Sequence, residues 1–298
     1  MKTKQQKQLA GSASPYKKVS AGTAVIYVLL SIWALSTVYP FIWVILNSFR
    51  VKGEICTDSF SIPAGNSFTL DNYRTAFDRV DIFGAYKNSL VISIVVTIVV
   101  VLLAGFAAYG MARYRFKGKN FLYGVIVASM MFPVYSTIIP VFRMMFGWHI
   151  VNTQSIELSQ LSVILPQIAG NLSFAIVVLI GFIRGMPVEL EEAAYLEGYN
   201  VYQIFAHVIL PIAKPSFATV AIFTFLWSYN DLFTQMFFLR YRDSYTITCL
   251  LNQITSIAGT NYGLMAAAVV LVVIPVLIVY IALQKNIIKG LTVGAVKG

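Results

Sequence analysis

Met186-Pro187-Val188-Glu189-Leu190-Glu191-Glu192-Ala193-Ala194-Tyr195-Leu196-Glu197-Gly198, running on to Leu210-Pro211, is an acidic, helix-forming insert between long apolar segments. Pro187 suits the first helical position, where its missing N–H costs nothing, and Glu189, Glu191 and Glu192 favour the positive end of the helix dipole. Gly198 is free to take the left-handed conformation that turns a chain after a helix. Asn200 with Gln203 reads as the N-cap and third residue of a second short helix, which Pro211 is expected to end. The stretch is therefore helix, glycine turn, helix. Each half is about ten residues, and isolated helices below roughly 12–15 residues are marginal in water. They need a surface to pack on. Anionic headgroups would repel the four carboxylates, so a partner protein is favoured over lipid.

The rest of the chain is of a different kind. Of 298 residues 58% are hydrophobic and 11% charged, against about 25% charged in soluble domains. The mean hydropathy is +0.75. Uncharged runs long enough to cross ~30 Å of hydrocarbon recur along the length. The expectation is an all-α integral membrane protein, with six spans near 21–49, 89–111, 120–142, 158–183, 216–239 and 263–284. The first run is too long for a signal-peptide core and has no small-residue cleavage site, so it reads as a retained span. The chain divides into a basic tail (1–18), a six-helix membrane domain (19–284) containing the 184–214 loop, and a small, basic tail (285–298).

Six spans put both termini on one side, and the loop charges say which. That side carries fourteen Lys and Arg and the other carries eight. By the positive-inside rule both termini and the 184–214 loop are cytoplasmic. The acidic loop is the exception on a basic inner face, which again points to a protein partner. The net charge of +10 is thereby read as topology, with no nucleic-acid partner. Cys56 and Cys249 both fall on or near the outer side, and two unrelated free thiols are the favoured reading over a bridge.

Catalytic machinery is missing from the pattern. Gly118-Lys119-Asn120 lacks the glycine spacing and hydroxyl of a phosphate loop. His149 and His207 have no Cys or His partners at ligand spacing, so no metal site is expected. No nucleophile–base arrangement stands out. A protein that drives uphill transport with this chain must burn its fuel on another chain.

One charge lies inside an expected span. Asp231 is about fifteen residues into span five, ~22 Å along a helix. A carboxylate there costs about 2.5–3.5 kcal/mol on insertion scales, so it should face protein or water. At helical spacing Thr224, Trp227, Ser228, Asp231 and Gln235 form one stripe, next to Asn230. Gln167 and Asn171 lie one turn apart in span four at similar depth. Two readings stand. Either these faces line an outward-opening cavity for a hydroxyl-rich solute, with Trp227 as a stacking surface, or Asp231 is structural, paired with Arg240 or a helix end. Pro133, Pro140, Pro166 and Pro275 loosen backbone bonding at membrane depth and are compatible with broken helices.

Glu192-Ala193-Ala194, three residues, Gly198, nine residues, Val208, one residue, Leu210-Pro211 resembles the EAA loop of ABC importer permeases, with Val208 where Ile is usual. Ala108-Tyr109-Gly110-Met111-Ala112-Arg113-Tyr114-Arg115-Phe116-Lys117-Gly118, Tyr229-Asn230-Asp231 after Trp227, and the terminal 289–298 segment are similar to the carbohydrate-uptake branch, specifically its smaller, maltose-G-type subunits. Tyr229 stands where relatives often have Trp. The resemblance covers about residues 20–298. It implies a type I permease fold, a second homologous permease, two ATPase subunits that use ATP and Mg, an extracellular solute-binding protein and a sugar substrate. It also implies a bacterial or archaeal cell membrane as the location. Glu191, Glu192, Ala193, Ala194, Gly198, Leu210 and Pro211 are then the ATPase-coupling residues, and Gln167, Asn171, Trp227, Asn230 and Asp231 the candidate substrate pathway. The chain itself is expected to bind no cofactor and to be no enzyme. A permease for polyamine or phosphate, or an ion-coupled secondary transporter, are the alternatives.

Overall fold

The computed structural model describes residues 21–259 and 261–295; the expected basic tail at 1–18 lies outside the described residues. The described residues are mostly helical, and among them the only β pairing is an isolated bridge between Arg50 and Phe68. In order the helices are α1 (Ala21–Ser48), α2 (Glu54–Thr57), α3 (Asp71–Arg79), α4 (Ile82–Arg113), α5 (Lys119–Ser129), α6 (Val134–Gly147) and α7 (Ile156–Arg184). There follow α8 (Glu189–Leu196), α9 (Val201–Ile204), α10 (Leu210–Ile212), α11 (Lys214–Asn230), α12 (Leu232–Phe238), α13 (Ile247–Ala258) and α14 (Tyr262–Ala295).

Three of the six expected crossings are single helices long and apolar enough to span: Gly22–Ser48, Ile82–Arg113 and Ile156–Arg184. The crossings expected at 120–142 and 216–239 are each made of two helices. The first breaks between α5 and α6. Pro133 has no N–H to continue the ladder and biases Phe132 out of the helical region, so Pro133 becomes the N-cap of α6. Pro140, Pro166 and Pro275 lie inside helices that continue through them. Of the four prolines named from sequence, one marks a break. The last helix continues to Ala295 rather than stopping at 284.

The core is built on α4. Its residues Ile92, Val96, Val100, Ala104 and Ala108 recur every four positions and are fully buried, one stripe of one helix. Ala104, Gly105 and Ala108 keep that stripe narrow where α7 and α11 close on it. Close approach matters because lipid is as apolar as Leu, so dispersion contacts drive helix association in a membrane. Most of α1, by contrast, exposes its side chains, with Trp33 at 73% and Leu35 at 71%. Such a surface is stable only against lipid or another membrane chain.

The 50–81 segment is pinned by its own polar contacts. Arg50 is buried and donates from Nη2 to the Ser61 carbonyl and, at 2.8 Å, to Ser61 Oγ. Asn72 Nδ2 donates to the carbonyls of Ser48 (2.9 Å) and Arg50 (2.8 Å). Gly263 at the start of α14 lets this knot form: a Cβ there would sit 2.7 Å from the Arg50 carbonyl oxygen and from Asn72 Nδ2. Cys56 is exposed and Cys249 buried, and both are free thiols.

Candidate functional site

The 184–214 loop keeps the expected helix, turn, helix order, but Pro187 lies one residue before the N-cap rather than at the first helical position. α8 starts at Glu189, two residues after Pro187, with Val188 as N-cap and Glu189, Glu191 and Glu192 in the first turn. It ends in a Schellman motif: the Tyr199 N–H donates to the Ala194 carbonyl (3.1 Å) and the Gly198 N–H to the Tyr195 carbonyl (3.0 Å). Gly198 has φ +89°, and nothing lies within 4 Å of where its Cβ would be. Conformation, not space, requires glycine there. The next helix opens with a full capping box. Gln203 N–H donates to Asn200 Oδ1 (3.0 Å) and Asn200 N–H to Gln203 Oε1 (2.8 Å).

Pro211 does not end this second helix. The rod runs from Val201 to Ile212 and bends by 81° into α11 at Ala213. A π-turn at Phe205–Ile209 widens the helix just before Pro211, which relieves the clash its ring would make one turn back. Ile204, Phe205 and Ile209 form the buried underside. Phe205 stacks on Phe106 with ring centroids 4.6 Å apart. A Cβ at Gly105 would come within 2.8 Å of Phe217 and 3.2 Å of Phe205, so α4 needs glycine at that position to seat both rings.

The loop's expected partner-facing residues divide into two groups. Glu192 and Ala193 are exposed, as are Gly198, Leu210 and Pro211. Ala194 is buried, and so is most of Glu191. Glu191 faces the chain's own Arg113, whose Nε lies 2.5 Å from Glu191 Oε1. Arg113 Nη2 also donates to the Met186 carbonyl (3.0 Å), and the Tyr109 hydroxyl to Glu191 Oε2 (3.2 Å). Beside this pair a cleft of about 400 Å³ is lined by Tyr109, Arg113, Arg115, Lys119, Glu191, Glu192 and Tyr195, among others. The outward face is more apolar than its carboxylates suggest. Leu196 is 90% exposed, Tyr202 75% and Tyr195 66%. Sequence reading missed these three. Their signal was present: large apolar side chains alternating with acids on helices too short to bury both faces.

The mid-membrane polar residues form something other than the two lining faces expected. Span five breaks at Asp231 (φ −75°, ψ 81°), which caps α12 by accepting from the Thr234 N–H (3.0 Å). The stripe from Thr224 to Gln235 is therefore not one helical face. Thr224, Ser228 and Gln235 point inward and are buried, whereas Trp227 is about half exposed. Gln167 is only 5% exposed. Its Nε2 donates to Asp231 Oδ2 (3.0 Å) and its Oε1 accepts from Ser228 Oγ (2.6 Å). Gln235 Nε2 donates to the Ser228 carbonyl (2.8 Å), and Gln235 Oε1 accepts from the hydroxyls of Thr246 and Thr248. The expected gap between Gln167 and the Asp231 stripe is closed. In a low dielectric, polar side chains that reach one another pair rather than stay apart. Asp231 has a helix-end partner, and Arg240 lies over the Phe142 ring at 5.7 Å.

What stays accessible at this level is aromatic and amide in character. Trp227 packs edgewise on Phe174 (4.8 Å) and against Phe223 (5.8 Å). Asn230 is exposed, with Nδ2 donating to the Leu226 carbonyl (2.8 Å). Asn171 is half-buried and donates to the Gln167 carbonyl (2.7 Å). Among the described residues no three His, Cys, Asp or Glu side chains gather as a metal site.

An exposed two-helix loop stapled to a membrane bundle is the architecture of a transport permease. Residues 100–293 match the family described as "Binding-protein-dependent transport system inner membrane component", and the chain belongs to it: a multi-pass inner-membrane permease subunit, not an enzyme. It is 32% identical to the diacetylchitobiose uptake system permease protein NgcG of Streptomyces coelicolor, over 91% of this chain and 88% of that protein. It is 33% identical to the arabinooligosaccharides transport system permease protein AraQ of Halalkalibacterium halodurans, over 89% of this chain and 93% of that one. The fold is shared with a chain of a bacterial ABC transporter involved in the import of the acidic polysaccharide alginate. That match has a TM-score of 0.74 at 22% identity, over 91% of this chain and 99% of the other.

Proposed function

We propose that the chain is one of two permease halves in an ATP-driven importer of sugars or oligosaccharides, fed by an extracellular solute-binding protein. The observation that carries the reading is the 184–214 loop. Its lower face is locked onto α4 and α11, and its upper face holds Glu192, Tyr195, Leu196 and Tyr202 out for a partner. A soluble ATPase subunit is that partner, one for each permease half, and it uses ATP and Mg. Both termini are then cytoplasmic, in agreement with the loop-charge count. The sugar assignment draws support from the named substrates of relatives such as NgcG and AraQ.

Trp227, Asn230, Asn171 and the edge of Asp231 are the pathway residues in this reading. Non-helical backbone at membrane depth is tolerated only where it is buried in protein or lines water. Both broken crossings put such backbone near this patch: the α5–α6 break, and the α11–α12 break at Asp231. Tyr135, just past the first, packs edgewise on Phe233, just past the second, at 4.5 Å. Gln167 is a brace for Asp231 rather than a sugar contact.

The test is purification with the companion permease and ATPase, followed by ATP hydrolysis stimulated by the loaded binding protein. Oligosaccharides are expected to stimulate; stimulation by a polyamine or phosphate alone would replace the sugar reading. Uptake that survives loss of the ATPase would replace the ATP-driven one.

A further inference from the structure

Helix α4 is fastened at both ends to segments on opposite faces of the membrane. At the inner end Arg113, its last residue, grips the docking loop through Glu191 at 2.5 Å and the Met186 carbonyl at 3.0 Å. The Tyr109 hydroxyl, one turn back, holds the other Glu191 oxygen at 3.2 Å. Both members of the ion pair are 11% exposed, so the contact is sheltered from the screening that weakens surface pairs. At the outer end Asn88 is 6% exposed. Its Nδ2 donates to the carbonyls of Asp243 (2.8 Å) and Tyr245 (3.0 Å), and its Oδ1 accepts from Gln160 Nε2 (3.0 Å). Next to it Ser89 Oγ accepts from the Ile247 N–H (2.8 Å). The two fastenings are 25 residues apart, ~38 Å along an α-helix. Between them the fully buried stripe leaves no room for slip.

We infer that α4 is a tie-rod that carries displacement of the docking loop to the outer 242–247 segment, with Arg113 and Asn88 as its two positioning residues. The inference rests on the docking reading of the 184–214 loop and adds to it a route across the membrane. A guanidinium suits the inner end because its planar fork serves the carboxylate and the carbonyl together, whereas a lysine ammonium on a flexible stem is a point charge. Glu191 is thereby assigned to the chain's own interior, and Glu192 is left for the partner. Because energetic coupling between two sites is reciprocal, occupancy of the outer segment biases the loop as strongly as the loop biases it.

The experiment uses the full importer in proteoliposomes, comparing the natural chain with Arg113→Gln, Arg113→Lys, Asn88→Ala and the exchange of Arg113→Glu with Glu191→Arg. Two quantities are read: ATPase retained through purification, and ATP hydrolysed per sugar delivered. Arg113→Gln and Asn88→Ala are expected to retain the ATPase while ATP consumed per sugar rises at least tenfold. Arg113→Lys should rise about threefold, since it keeps the charge but loses the fork. The exchanged pair should return to within about threefold of the natural chain, short of full recovery because a carboxylate is disfavoured at a helix C-terminus. Unchanged coupling in either single variant, or no recovery in the exchanged pair, overturns the tie-rod. Loss of the ATPase in Arg113→Gln overturns it as well, since the residue would then only shape the docking surface. A natural chain that retains no ATPase sinks the docking reading itself, a separate result.

Discussion

The 184–214 loop and the break at Asp231 are both polar interruptions in an apolar chain, and they are held in opposite ways. The loop is specified by neighbours in sequence: a first-turn acid cluster, a Schellman glycine and a capping box, none needing a contact beyond six residues. The break is specified by distant partners. Gln167 lies 61 residues from Ser228 and 64 from Asp231, and Thr246 reaches Gln235 from beyond α12. Local caps set the ends and the turn of this exposed element, and its buried underside holds it to α4 and α11. Inside the apolar bundle Gln167, Ser228, Asp231 and Gln235 find protein partners instead.

This contrast can be broken by substitution, and the largest effect is expected at the loop's turn. Gly198→Pro removes the N–H given to Tyr195 and cannot adopt φ +89°. Transport should fall at least tenfold with membrane insertion intact, measured as uptake against the amount of chain in the membrane. Normal transport would mean that the turn geometry is not used. Charge reversal at the exposed Glu192 should likewise reduce ATPase retention, with little change in thermal stability.

At the break, Gln167→Leu leaves the Asp231 carboxylate and the Ser228 hydroxyl short of a partner, at about 1.5–3 kcal/mol for a hydrogen bond to a charged group. The readout is the thermal unfolding midpoint in detergent. Adding Asp231→Asn to Gln167→Leu should cost less than the sum of the two single changes, since they share one network. A purely additive result would dissolve the network as a unit.

A smaller effect belongs to the loop's second cap. Asn200→Ala loses the capping-box acceptor, about 1 kcal/mol, and should show as faster proteolytic nicking near 198–204. Smallest in stability is Trp227→Ala: the ring is about half exposed, so the unfolding midpoint should hardly move while sugar preference does. A variant with unchanged preference would remove Trp227 from the pathway.

Much of the 184–214 loop was legible in the sequence. Pro187, the glutamates, Gly198 and the Asn200–Gln203 pair placed both short helices within about two residues, because caps and dipoles act over a single turn. Pro211 misled, since the stop it signals was absorbed by a π-turn that has no composition signature. The polar residues around Asp231 were read less well. Periodicity assumes an unbroken helix, and a break at Asp231, without proline or glycine, puts Gln235 on a different helix from Thr224, Trp227 and Ser228. Glu191 looked like its neighbour Glu192, and only the approach of Arg113 from 78 residues away tells them apart.

Composition and run length by themselves determined a multi-pass helical membrane protein that carries an acidic loop, because hydrocarbon admits so few solutions for the backbone. Tertiary structure alone decided which polar residues are consumed inside the protein and which are left facing out. That choice turns on side chains meeting across helices, at distances of about 3 Å that no spacing along one chain encodes.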